Sequence, residues 1–61
     1  MTLVFHQDGP RAGEFDDLPP QELRTHLVYD GPRWLGVYSR SQPVRFQQTP
    51  RGRAEVWVAR T

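Results

Sequence analysis

RTHLVYDGPRWLGVYSR, residues 24–40, is the stretch that decides the fold class of this 61-residue chain. Its two halves, 24–30 and 33–40, are rich in β-branched and aromatic residues and flank an Asp-Gly-Pro turn signal. Such side chains fit a half-buried pleated surface, whereas Gly and Pro interrupt it. The stretch therefore predicts two β-strands joined by a tight turn.

Strand-like segments and turn signals alternate about every ten residues along the rest of the chain. The other strand-like segments are TLVFHQ (2–7), GEFDDL (13–18), VRFQ (44–47) and RAEVWVAR (53–60). The predicted turn-forming residues are Gly9, Pro10, Gly13, Gly31, Pro32, Pro50 and Gly52. Residues 19–24 begin with two prolines and predict one helical turn, for which Asp17 is the expected cap. The prediction is a single all-β domain over residues 1–61, a small antiparallel meander or barrel-like sheet of about five strands.

Alternation places apolar residues on both faces of the later strands. In residues 53–60, Ala54 and Val56 share one face, and Trp57 lies on the other. A single flat sheet cannot bury two faces by itself. We therefore expect the sheet to curl into a barrel, or its second face to meet a helical turn or another chain. Gly36, inside a strand, favours a bend of this kind.

Protein–protein contact is the predicted mode of action, through self-association or docking on a larger assembly such as a virion. Trp, Tyr and Arg are enriched where proteins meet. The predicted interaction residues are Trp34, Tyr38, Trp57, Arg33, Arg40 and Arg53. A chain of this length gains stability from association, and the absence of cysteine excludes disulfides as an alternative support.

Single-stranded nucleic-acid binding is the alternative. Residues 31–61 hold six arginines and one carboxylate, whereas residues 1–30 hold two arginines and six carboxylates. The aromatic residues Trp34, Tyr38, Phe46 and Trp57 are interleaved with Arg33, Arg40, Arg45, Arg51 and Arg53. Arginine and aromatic residues together are typical of small β-barrels that bind single strands. Against this alternative, the net charge is only +1, and the two halves could neutralise each other.

Catalytic, cofactor and metal chemistry are not predicted, so we expect a non-enzymatic protein. The chain lacks a Gly-rich phosphate loop and a Ser nucleophile motif. His6 and His26 would supply at most half of a tetrahedral metal site. His26 alternates with Val28 and is predicted to be a structural histidine. Asp16 and Asp17 point to opposite faces if extended, so they would not converge on one substrate.

The segment FHQDGPRAGEFDDLP (5–19) resembles the opening of short, uncharacterised proteins common in phages of actinobacteria and in their hosts. Those proteins begin with a strand, a turn like Gly-Gly-Pro-x-Asp-Gly, and a strand that ends in a hydrophobic-Pro pair. The matching residues are Gly9, Pro10, Gly13, Leu18 and Pro19, whereas Asp8 and Ala12 depart from the pattern. The resemblance covers residues 3–19, and Val28-Tyr29 and Val37-Tyr38 are similar to the later strands. It implies a phage or prophage accessory protein, and it carries over no catalytic residue.

The expected location is the cytoplasm of a bacterial host or a virion, with no membrane partner. No apolar run approaches the roughly 18 residues of a membrane span. The beginning of the chain lacks the basic and long apolar regions of a secretion signal.

Overall fold

The computed structural model, which describes residues 2–23 and 25–60, contains six strands and one short 3₁₀ turn. The strands are β1 (Thr2–Gln7), β2 (Phe15–Leu18), β3 (Leu27–Asp30), β4 (Leu35–Arg40), β5 (Phe46–Thr49) and β6 (Gly52–Ala59). The 3₁₀ turn, Pro20–Glu22, lies between β2 and β3. All strands belong to one curled sheet that forms a half-barrel. The predicted all-β class, barrel-like sheet and single helical turn are confirmed.

The strand β6 lies at the centre of the sheet and pairs with three others. The strand order is β2-β1-β6-β4-β3, and β5 also pairs with β6. β1 runs parallel to β6, with Val4 opposite Glu55 and Gln7 opposite Val58. β5 and β4 pair antiparallel with the first and second halves of β6 respectively. The sheet is therefore mixed and not wholly antiparallel as predicted, because β1 runs parallel to β6.

Val56 marks the point where β6 changes its partner from β5 to β4. Its N–H donates to the carbonyl of Arg45 (3.0 Å), and its carbonyl accepts the N–H of Ser41 (3.1 Å). The intervening residues bulge away from β6 and include the cis bond between Gln42 and Pro43. This bulge moves the start of β5 from the predicted residue 44 to Phe46.

The hydrophobic core lies inside the curl of the sheet. Its buried members are Val4, Leu27, Tyr38 and Trp57, and the partly buried residues packed against them are Leu18, Leu23, Tyr29 and Ala59. Ala54 and Val56, on the opposite face of β6, are also buried. Both faces of β6 thus bury apolar residues, in line with its two-sided alternation.

The first hairpin turn uses left-handed backbone conformations. Asp8, Gly9 and Gly13 have φ values of 63°, 72° and 85°, a region that favours Gly. The N–H of Gly13 donates to the carbonyl of His6 (2.9 Å), which closes the loop between β1 and β2. Pro10 lies within this turn.

The other turns lie at the predicted turn-forming residues, with local differences. In the β3–β4 hairpin the N–H of Gly31 donates to the carbonyl of Trp34 (2.9 Å), so Pro32 and Arg33 form a two-residue loop. Pro50 turns the chain from β5 into β6, and Gly52 begins β6 with a φ of 124°. The expected cap is wrong, because Pro19 holds the N-cap position of the 3₁₀ turn without a side-chain bond.

Candidate functional site

The structure corrects the aromatic part of the predicted contact face. Tyr38 and Trp57 are both 0% exposed, because the curl of the sheet turns their faces of β4 and β6 inward. The Tyr38 hydroxyl donates to the carbonyl of Asp8 (2.7 Å), and the Trp57 indole N–H donates to Glu55 (2.9 Å). These two rings fill the core and cannot belong to an exposed contact surface. Trp34 is 41% exposed and lies beside Gly31 at the tip of the β3–β4 hairpin.

The predicted arginines do not all converge on one surface, because Arg40 and Arg53 lie on the Glu55 face of the sheet and Arg33 lies in a loop. Arg33 lies in the two-residue loop before β4, whereas Arg40 ends that strand. Arg40 lies 5.0 Å from the centre of the Trp57 ring, and its Nε donates to Glu55 (2.7 Å). Arg53 stacks on the ring of Phe46 at 4.2 Å. Arg40 and Arg53 therefore shield aromatic rings, and only Arg33 stands close to Trp34.

A buried polar network surrounds His6, a residue for which the sequence predicts no functional role. His6 is 0% exposed on β1, and its Nδ1 lies 2.8 Å from the carbonyl of Glu14. Because a carbonyl only accepts, Nδ1 carries the proton and Nε2 accepts the hydroxyl of Tyr29 at 2.7 Å. Arg11 lies over the Tyr29 ring and forms ion pairs with Glu14 and Asp16. The structural histidine is thus His6, and the prediction for His26 is wrong, because His26 is exposed.

Burial and neighbouring charge shift three pKa values in this network. Burial lowers the pKa of His6, and the positive charge of Arg11 acts in the same direction. Burial raises the pKa of the Tyr29 hydroxyl. Burial alone would lower the pKa of Arg11, but its hydrogen bonds to Asp16 and Glu14 outweigh that effect and raise it. At neutral pH the network therefore holds a neutral imidazole beside a charged guanidinium.

The outer edge of β3 is the first feature suited to contact with another protein. Within the described residues β3 pairs only with β4. The bond from Gly31 to Trp34 marks a hydrogen-bonded pair, and such pairs alternate along antiparallel strands. Tyr29 and Leu27 therefore bond towards β4, and the N–H and C=O groups of Val28 and Asp30 point to the free edge. A groove of about 320 Å³ lies between β3 and the segment of residues 18–22.

An exposed apolar face adjoins this edge. Val28 is 64% exposed and Leu35 is 63% exposed, on the outside of the β3–β4 hairpin. Val28 pairs with Val37, which shares the same outer face because directly opposed residues do so. The hairpin therefore presents large aliphatic groups beside unpaired backbone donors and acceptors. We call Val28, Asp30 and Leu35, with the free edge of β3, the β3 contact site.

The outer edge of β2 has a different character. Asp16 and Asp17 are consecutive there, and their side chains form ion pairs with Arg11 and Arg51 respectively. Charged residues on an edge strand oppose pairing with another strand. Of the outer edges of β2 and β3, that of β3 therefore carries fewer charges that oppose a partner, and β5, which pairs only with β6 in the described chain, presents a third edge.

Three further findings bear on function. Over residues 2–23 and 25–60, no group of three or more His, Asp or Glu side chains is placed to hold a metal ion. That same part of the chain has no helix long and apolar enough to cross a membrane. No family model, curated protein sequence or solved structure matches the chain.

Proposed function

We propose that this protein is a non-enzymatic structural or accessory component, of phage or prophage type, that acts through protein–protein contacts made by the β3 contact site. The observation that carries the proposal is the unpaired edge of β3 beside the exposed side chains of Val28 and Leu35. An unpaired edge is a template for another strand, and natural proteins usually protect it. The resemblance of residues 3–19 supports the phage-type assignment, and a bacterial cytoplasm or a virion is the proposed location.

The proposed first partner is a second copy of the chain. A two-fold axis between antiparallel strands must pass through one residue pair, because opposed residues share a face. An axis at Val28 pairs the two Val28 residues and brings their outward-facing N–H and C=O groups together. The same register places Leu27 opposite Tyr29 of the second copy.

The flanking polar residues complement each other in this register. His26 of one copy lies opposite Asp30 of the other, twice by symmetry, and both residues are exposed in the single chain. An imidazole N–H can donate to a carboxylate, so each pair joins a donor to an acceptor. Pairing at β2 would instead set the adjacent carboxylates of Asp16 and Asp17 against their own copies. Like charges directly opposite destabilise a sheet, so the β3 register is favoured.

The expected association is weak. Pairing of two four-residue edges buries less than about 1,200 Å², the range of transient contacts. We expect dimers at micromolar to millimolar concentration, which analytical ultracentrifugation of the intact chain measures. Leu35 remains exposed in such a dimer and is available for a further contact with a larger assembly.

Cysteine crosslinking tests the register, because the chain contains no cysteine of its own. In the Val28→Cys variant the two Cα atoms of the hydrogen-bonded pair lie about 5.5 Å apart, which a disulfide spans. Mild oxidation is expected to yield a covalent dimer. Asp30→Cys alone is the matched control, because its two copies lie roughly 14 Å apart in this register. A mixture of Asp30→Cys and His26→Cys is expected to crosslink.

Two outcomes would contradict self-association at β3. One is equal crosslinking of Val28→Cys and Asp30→Cys, which indicates random collision. The other is a monomer at every concentration together with no crosslinking. A photoreactive residue placed at position 35 tests for a different partner. If it captures only another protein of the host, that protein and not a second copy is the partner, and the proposed contact function stands. If neither Val28→Cys nor the photoreactive residue at position 35 forms an adduct, both the self-association and the contact function are overturned.

A further inference from the structure

A second groove, which shares His26 with the groove beside β3, is lined by positive charge. It occupies about 1030 Å³ between the residues that precede β3 and the bulge that follows β4. Its basic lining residues are His26, Arg40, Arg45 and Arg60. Its lining contains no Asp or Glu from the described parts of the chain.

Carboxylates elsewhere in the chain leave this charge largely uncompensated. Glu14, Asp16 and Asp17 form ion pairs with Arg11 and Arg51, outside the groove. Only Arg40 among the groove arginines has a carboxylate partner, Glu55, in the structure as described. Folding therefore does not neutralise the basic half of the sequence at this place.

The remaining two arginines keep donors for an anion. Arg45 donates one hydrogen bond from Nη2 to the neutral amide oxygen of Gln7 (3.1 Å) and retains its full charge. Arg60 forms no ion pair within residues 2–23 and 25–60. A guanidinium offers five N–H donors in a geometry that suits phosphate oxygens. Arg45 and Arg60 are thus the principal anion-binding groups of the groove.

Neutral donors complete the lining. Ser39, Ser41 and Gln42 lie between the arginines. Ser41 is buried, and its Oγ accepts the backbone N–H of Arg45 (3.0 Å), which leaves the hydroxyl hydrogen to donate. This bond also fixes the backbone of Arg45 against the bulge. Charged and neutral donors side by side are typical of sites that bind phosphate oxygens.

We infer that this groove binds the phosphate groups of a single-stranded nucleic acid, independently of base sequence. Among the described residues no Phe, Tyr or Trp lines it. Binding is therefore expected to rest on phosphate contacts and not on base stacking against large aromatic side chains, in contrast to the usual single-strand platforms. The sequence-based alternative relied on Trp34, Tyr38, Phe46 and Trp57, of which Tyr38 and Trp57 are buried whereas Trp34 and Phe46 are exposed.

Fluorescence anisotropy with a labelled oligodeoxythymidine of about twelve nucleotides tests the inference. Between roughly 50 and 200 mM salt, contacts from Arg45 and Arg60 predict a slope of log K against log salt of about −1.4. Arg45→Gln and Arg60→Gln are each expected to weaken binding and to reduce the slope by about 0.7. Oligodeoxyadenosine of equal length is expected to bind with the same affinity.

Arg33→Gln is the matched control, because it removes the same charge from an exposed loop outside the groove. Its affinity is expected to stay near that of the unmodified chain, with thermal unfolding showing that all variants fold. If Arg33→Gln and Arg45→Gln lose the same affinity for the oligonucleotide, binding depends on net charge, and the groove is not the binding site. If tripolyphosphate binds as tightly as the oligonucleotide, the nucleic-acid strand is not the specific ligand. Oligonucleotide binding that does not change with salt would also contradict the inference.

Discussion

The hydroxyl of Tyr29 donates a hydrogen bond to Nε2 of His6 across 2.7 Å, and this contact joins β3 to β1 through the interior of the half-barrel. The two strands are not neighbours in the sheet, where β6 and β4 separate them. The rings of His6 and Tyr29 also meet edge to face, with their centres 5.2 Å apart. Closure of the curl therefore depends on a polar pair as well as on apolar packing.

Stability is expected to fall as the pH drops below about 6.5, through His6. Burial holds the pKa of His6 below its ordinary value of 6.5, so the unfolded chain binds a proton that the folded chain refuses. The stabilisation that comes from keeping His6 neutral is fully present above pH 6.5. It is lost progressively as the pH falls towards the pKa of His6 in the folded chain. Urea unfolding between pH 5 and pH 7.5 measures this dependence. His6→Gln is expected to lose it, and His26→Gln, at an exposed site, to retain it; the reverse pattern would contradict the assignment.

The Tyr38 hydroxyl is expected to stabilise the first hairpin turn. It donates to the carbonyl of Asp8 (2.7 Å) and accepts the N–H of Arg11 (2.9 Å). Tyr38→Phe keeps the ring in the core and removes both bonds, at an expected cost of about 1–3 kcal/mol. Chemical denaturation measures the loss, and amide exchange at Arg11 is expected to accelerate. Val44→Ala, at an exposed position, should change the free energy of unfolding by less than about 0.5 kcal/mol.

Two glycines of the same turn provide a matched pair. A Cβ at Gly9 would lie 2.7 Å from Cβ of Ala59 and 2.8 Å from the Tyr38 hydroxyl, whereas a Cβ at Gly13 meets no atom within 4 Å. Both residues have positive φ, so each substitution carries a backbone cost of about 1–2 kcal/mol. Gly9→Ala adds steric overlap and is expected to lose roughly 1–3 kcal/mol more. If urea unfolding shows the same loss of stability for Gly9→Ala and Gly13→Ala, the turn does not pack closely against β4 and β6.

Glu55 is expected to matter chiefly as an acceptor for Trp57. Its Oε1 accepts the indole N–H of Trp57 and the Nε–H of Arg40. Glu55→Leu leaves the buried indole N–H without an acceptor, at an expected cost of about 1–3 kcal/mol. Glu55→Gln retains an amide oxygen in that place and should lose clearly less, as measured by thermal or chemical unfolding. A larger loss for Gln than for Leu would instead indicate that the charge on Glu55 dominates.

The strands could be predicted from sequence because their signals are local. Alternation and turn residues located β1, β4 and β6 closely, and the proline pair located the 3₁₀ turn at Pro20–Glu22. The parallel pairing of β1 with β6 leaves no local signal, because it depends on residues some fifty positions apart, such as Val4 and Glu55. Long-range pairings of this kind are decided by packing of the whole sheet.

The inward face of each strand was harder to predict, because β4 and β6 carry apolar residues on both faces. In the structure Tyr38 and Trp57 fill the interior, whereas Val28 and Leu35 remain outside. The groove that contains Arg45 and Arg60 has no sequence motif, since the bulge after β4 brings its residues together. His6 shares one face of β1 with Val4, and that alternation was the available signal for its burial.

The central position of β6 has a consequence for how the chain reaches this fold. The hairpins β1–β2 and β3–β4 are each local, yet only β6 joins them into one sheet. As β6 follows every other strand in the sequence, the two hairpins emerge during synthesis before the strand that unites them. Each of them is marginal alone, since an isolated two-stranded hairpin has little stability in water. We therefore expect the complete sheet to form only after β6 has been synthesised.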